Sequence, residues 1–140
     1  MPTQRGATVE FREVTKRYAD QVAVDGLSFT VPAGKICILV GPSGSGKTTS
    51  LKMVNRLIEP TSGAILIDGQ DVLHGDPVQL RRRIGYVIQQ VGLFPHQTIE
   101  ENVGTVPRLL GWPTDKIRTR SMDLLELVGL DPAQDRKSVV

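Results

Sequence analysis

Cysteine occurs once in the 140 residues, at Cys37, which excludes an intrachain disulfide and any cysteine-based metal cluster. Aromatic residues make up only 4% of the chain, so a core has to be built mainly from Val, Ile and Leu. An excess of either charge is also lacking. The net +2 is too small to imply a nucleic-acid partner, and none is expected. The single basic run, Arg81 to Arg83, reads as a solvated helix face. No stretch approaches the roughly 18 apolar residues of a membrane span. The opening "MPTQRGATVEF" has no apolar segment of the secretory type. A cytoplasmic chain is expected, with any membrane role coming through a partner.

The remaining composition is ordinary for a globular domain, with 39% hydrophobic and 23% charged residues. "TVEFREV" (8–14) alternates, with Val9, Phe11 and Glu13 on one face against Glu10 and Arg12, as a strand would. "VAVDGLSFTV" (22–31) gives a second strand, bent or bulged at Gly26. "KICILV" (35–40) is a continuous apolar run, as expected of a strand buried on both faces, with Cys37 a buried, inert thiol. From Lys47 the period becomes helical, through Leu51, Val54 and Leu57 or Ile58, until Pro60 and Gly63. "AILIDG" (64–69) is a short strand closing in an Asp-Gly turn. Asp76 and Pro77 read as N-cap and first position of a helix, and "IGYVIQQ" (84–90) returns to strand. Thr98 and Glu101 have capping-box spacing, opening a helix that runs to about Leu110 and is kinked or shortened by Pro107. Thr114 and Asp115 start a last helix, lined by Ile117, Leu124, Leu125 and Val128 and stopped by Gly129. The alternation of strand, loop and helix predicts a three-layer α/β domain around a largely parallel sheet.

"GPSGSGKTTS" (41–50) carries the chemistry. Gly41, Gly46, Lys47 and Thr48 satisfy G-x-x-x-x-G-K-[ST] between an expected strand and an expected helix. Glycines at 41, 44 and 46 allow backbone angles that aim successive N–H groups into one concavity for phosphate oxygens. The helix N-terminus adds unpaired donors, Lys47 brings a mobile cation for terminal phosphates, and the Thr48 hydroxyl suits Mg²⁺. A Gly/Ser connector matching by chance is the rival reading, and the strand-to-helix context disfavours it. The candidate nucleotide-binding set is Gly41, Pro42, Ser43, Gly44, Ser45, Gly46, Lys47, Thr48 and Thr49.

Four stretches together resemble the ATP-binding subunits of ABC transporters, from about residue 8 to about residue 131: "VTKRY" (14–18), the phosphate loop, "EPTSGAILIDGQDV" (59–72) and "IGYVIQQVGLFPHQTIEENV" (84–103). The resemblance implies a P-loop NTPase-type fold with an antiparallel N-terminal β subdomain beside the parallel sheet. It implies ATP and Mg²⁺ as ligands, with Tyr18 stacking on adenine and Gln89 at the position that ligates the metal and orients water. Tyr18 as a strand-edge aromatic covering core is the bland alternative. Gln90 is the alternative if the register slips by one. In the family, the segment after Gln89 lies against a membrane permease. Phe94 and His96 would then supply a partly apolar contact, although His96 also reads as an ordinary loop histidine and His74 as a surface one. Within the family, "VNRLIEPTSG", "IGYVIQQVGLFPHQTIEENV" and "VPRLLGW" look most like importers of quaternary-ammonium osmoprotectants such as glycine betaine, choline and carnitine.

The family pattern continues with an LSGGQ-type segment, an apolar strand ending in Asp-Glu and a switch histidine. The 140 residues hold none of these. The resemblance therefore implies that residues 1–140 are the N-terminal portion of an ABC ATP-binding domain, truncated before the signature. A full-length relative would pair head to tail with a second ATP-binding subunit, peripheral at the inner face of the cell membrane through the permease. Two other readings stand beside the transport subunit: a nucleotide-binding remnant that does not hydrolyse ATP, and an ABC ATPase outside transport.

Overall fold

The computed structural model describes residues 6–88 and 92–131. The chain divides into two compact units, Met1–Ile84 and Gly85–Val140.

The first unit is built on an antiparallel sheet. Strand β1 (Val9–Tyr18) lies between β2 (Gln21–Val31) and β3 (Ser62–Ile67), and β4 (Gln70–Asp71) pairs with the far edge of β3. The β1–β2 hairpin is tight, with Tyr18 opposite Gln21. Between β3 and β4, Asp68 (φ 49) and Gly69 (φ 79) both take positive φ, the requirement of a two-residue hairpin turn and the reason the sequence is Asp-Gly. Asp68 is further held where its Oδ1 accepts from the Thr8 N–H at 2.8 Å.

One bulge decides which side chains enter the core. Glu13 takes φ 48 and the β1–β2 register shifts between Phe11 and Val14. The extra residue reverses the alternation expected for 8–14: Val14 is fully buried and Glu13 is exposed, its carboxylate accepting from the Ser28 hydroxyl at 2.7 Å. Gly26, with φ 55, lies at the next register shift, between Val14 and Lys16, where its N–H donates to the Thr15 hydroxyl at 3.0 Å, as the irregularity expected in this strand.

Helix α1 (Lys47–Val54) covers the sheet, placing Met53 in a core cluster with Phe11, Val14, Val24, Ile65 and Val72. Phe11 and Phe29 stack with ring centroids 4.6 Å apart. The covering face of α1 is only in part the one that apolar spacing predicted, since Val54 and Ile58 pack against this core. Ser50 and Met53 are buried while Leu51 and Leu57 are about half exposed. The chain leaves the helix at Asn55, because Arg56 takes φ 52 and the Leu57 N–H turns back to the Lys52 carbonyl at 2.9 Å. Helix α2 (Pro77–Arg82) starts as its sequence requires, with Asp76 accepting from the Val78 N–H at 2.8 Å and Pro77 at the first helical position. The basic run beside it is only partly solvated: Arg81 and Arg82 are half-buried, and Arg81 donates to the Arg56 carbonyl at 3.2 Å.

The two runs expected as parallel strands differ from that expectation. Residues 35–40 and 84–88 have no strand pairing, and most of their apolar side chains face outward, with Ile36 91%, Val40 90% and Val87 97% exposed. Cys37 is exposed as well, not buried. A parallel strand buried on both faces needs neighbours along its edges and layers above and below. Among the described residues, nothing pairs with either run.

The second unit is helical, with α3 (Ile99–Val103), α4 (Thr105–Leu109) and α5 (Thr114–Leu127). Thr98 and Glu101 form the expected capping box, the Thr98 hydroxyl accepting from the Glu101 N–H and the Glu101 carboxylate from the Thr98 N–H. The single helix expected over 98–110 is interrupted at Gly104. Pro107 has no N–H for the Val103 carbonyl, so the ladder ends there and restarts at Thr105. On α5 the buried line is Ile117, Ser121 and Leu125, while Val128, expected on that side, is exposed. Gly129 ends the helix with φ 78, its N–H reaching Glu126 and the Leu130 N–H reaching Leu125, both at 2.9 Å.

Candidate functional site

The loop between residue 41 and α1 is shaped by three glycines in three different ways. Gly44 (φ 83) and Gly46 (φ 84) take backbone angles that other residues rarely adopt. Around Gly44 there is open space, so only its angle demands glycine. At Gly46 a Cβ would also run into the Ala23 carbonyl of β2 and come within 3.0 Å of the Val24 side chain. Gly41 differs from the expectation of a special backbone angle. Its need is a close approach, since a Cβ there would sit 2.7 Å from the Ser45 hydroxyl.

These contacts draw the loop around the Lys47 ammonium. Its Nζ donates to the Pro42 carbonyl at 2.6 Å, the Gly41 carbonyl at 2.8 Å and the Ser45 hydroxyl at 3.0 Å. The start of α1 adds backbone donors. Its N-cap is Gly46, with no capping side chain and no acidic residue in the first turn. Helices α2 and α3 spend those donors on Asp76 and Thr98. In α1 the leading N–H groups and the positive end of the dipole stay open to an external anion.

A cavity of about 410 Å³ lies over this loop, lined by Ser43, Gly44, Ser45, Gly46, Lys47, Thr48 and Thr49 and by Tyr18, Gln21 and Ala23 of the β1–β2 hairpin. Tyr18, remote from the loop in sequence, thus shares one cavity with it, and its ring is half exposed. Gly41 and Pro42 do not line the cavity and enter through their carbonyls. Gln21 and Ala23 were not singled out from the sequence. Their signal was the hairpin itself, since whatever pairs with Tyr18 is carried to the same cavity. A cation, uncapped backbone donors and an aromatic ring that share one cavity are the chemistry of a polyphosphate joined to a flat base.

Gln89 and its neighbour Gln90 lie outside the described residues. Beyond them, Asn102 of α3 holds the following loop. Its Oδ1 accepts from the Phe94 N–H at 2.7 Å, and its Nδ2 donates to the carbonyls of Phe94 at 3.1 Å and Thr98 at 2.9 Å. Phe94 is half exposed there, His96 is exposed, and their rings lie 6.0 Å apart. His74 is exposed, as expected. Among the described residues, no cluster of His, Cys, Asp and Glu is arranged to hold a metal by itself, and no helix is long and apolar enough to cross a membrane.

Comparison with known proteins follows the same lines. The sequence model of the family described as ABC transporter matches residues 24–139. The chain is 50% identical, over 89% of its length, to the glycine betaine/carnitine/choline transport ATP-binding protein OpuCA of Bacillus subtilis, covering 33% of that protein. It is 50% identical, over 88% of its length, to the osmoprotectant import ATP-binding protein OsmV of Salmonella typhimurium, covering 34% of it. Among solved structures, a bacterial Atm1-family ABC exporter with ATP bound matches with a TM-score of 0.66 and 40% identity, over 75% of this chain and 18% of that one. The chain therefore spans about a third of the length of these curated relatives.

Proposed function

The chain belongs to the ABC transporter family, and from that premise we propose that it is the nucleotide-binding portion of an importer that takes up a small osmoprotectant. The observation that carries the proposal is the single cavity joining Lys47 and the open start of α1 to the ring of Tyr18. ATP fits this donor set. The triphosphate lies along the loop from Ser43 to Thr49, with Lys47 exchanging its bonds to Gly41, Pro42 and Ser45 for phosphate oxygens, and adenine stacks on Tyr18. Mg²⁺ would be held by the Thr48 hydroxyl and by Gln89, and would neutralise charge on the terminal phosphates.

In this reading residues 1–140 are the N-terminal portion of the ATP-binding domain. The segment after Gln89, with Phe94 at its surface, meets a membrane permease, which places the protein at the inner face of the membrane. A second ATP-binding subunit pairs with it head to tail. Names of relatives at 50% identity support an osmoprotectant as the cargo. No residue of the cavity touches that cargo, so the substrate rests on relationship and not on geometry.

Uptake of labelled glycine betaine under osmotic stress tests the proposal in cells that depend on this protein. Lys47→Ala is expected to reduce uptake to background while the protein still accumulates. Unchanged uptake by that variant would contradict the assignment.

A further inference from the structure

The ring of Tyr18 has two faces, and one already has a partner. The Lys16 ammonium stands 5.0 Å from the ring centroid, within the range in which a cation is attracted to an aromatic face. Tyr18 lines the cavity over the phosphate loop, and Lys16 does not. Lys16 forms no ion pair with any described residue, so its charge is directed at the ring and at solvent. The local chain explains the arrangement. Lys16 and Tyr18 are two apart on β1, and the register shifts between Lys16 and Arg17. That irregularity sits at the end of β1, where the chain reverses through Ala19 at φ 47. An unsupported tyrosine at a hairpin end would sample several rotamers and pay their entropy each time a base docked.

We propose that Lys16 is a positioning residue for the nucleotide base: its ammonium covers the face of Tyr18 turned away from the phosphate loop and fixes the ring so that the other face receives the base. The proposal rests on the reading of Tyr18 as the stacking residue. Lys16 touches no phosphate in this arrangement, so its contribution belongs to base-bearing ligands alone.

The test uses the full chain, folded by circular dichroism, and two ligands: Mg-ATP and Mg-tripolyphosphate, which has the phosphates without the base. Lys16→Met keeps the aliphatic stem and removes the charge. It is expected to weaken Mg-ATP about two- to fivefold and to leave Mg-tripolyphosphate unchanged, while Lys16→Arg, which keeps a cation, binds both like the wild type. Tyr18→Ala separates the two claims. It is expected to weaken Mg-ATP by about fivefold or more, and adding Lys16→Met to it should cost nothing further. If Lys16→Met weakens both ligands equally, its charge acts on the phosphates and the proposal is overturned. If Lys16→Met binds like the wild type while Tyr18→Ala is impaired, stacking stands and the role of Lys16 falls. If Tyr18→Ala itself binds Mg-ATP normally, the stacking reading fails and takes the proposal with it.

Discussion

Single residues in the phosphate loop answer to different constraints, and substitution separates them. Alanine at Gly44 meets no neighbour, so its cost is the left-handed backbone angle alone, about 1 kcal/mol. Alanine at Gly46 meets the same angle and also the Ala23 carbonyl, so the hairpin and α1 must separate. Urea denaturation should show Gly46→Ala losing about 3 kcal/mol or more, or failing to fold. Equal losses for the two variants would mean that the packing of the loop on β2 is not as described. The identity of the loop was legible in sequence because glycine, lysine and threonine at fixed spacing leave few other uses. The reasons for each glycine were not. A need for φ > 0 and a need for close approach both read as Gly, and only the position of β2 tells them apart.

At the scale of elements, local signals carried through wherever the determinant was local. The Thr98–Glu101 capping box, the Asp76–Pro77 start of α2, the Asp68–Gly69 turn and the Gly129 stop all depend on neighbours in the chain, and each is found where its residues predict. Failures occurred where a partner distant in sequence decided. The bulge at Glu13 turns Val14 inward because β2 and β3 pin both sides of β1, and no period within 8–14 contains that information. Leu51 reads as core by its spacing, yet Ser50 and Met53 face the sheet. The same bulge gives a test. A Cβ on Gly63 would collide with the carbonyls of Arg12 and Glu13, and Gly63 has φ 80. Gly63→Ala should destabilise the first unit by about 2–4 kcal/mol, read as a fall in the urea midpoint with an unchanged slope. A loss below about 0.5 kcal/mol would show that β3 does not press on the bulge.

For the whole molecule, the main feature is how much apolar surface stays uncovered. Ile36, Ile38, Val40 and Val87 lie outward in runs whose composition is that of buried strands. Surfaces of this kind bind apolar probes and associate. The purified chain is expected to enhance the fluorescence of a hydrophobic dye strongly, and Ile36→Lys with Ile38→Lys to reduce that signal by about half while leaving the antiparallel sheet intact by circular dichroism. An unchanged signal would place the exposed surface elsewhere. The cavity is lined by the loop, the start of α1 and the β1–β2 hairpin, and none of these four apolar residues lines it. Nucleotide binding is therefore the property on which the functional account depends most directly. The measurement is a titration of Mg-ATP into the wild-type chain and Lys47→Ala, both verified as folded. Saturable binding is expected, weakening about tenfold to a hundredfold in the variant, the loss of one charge-assisted interaction with the terminal phosphates; equal affinities, or no binding by the folded wild type, would show that the loop is not a nucleotide site.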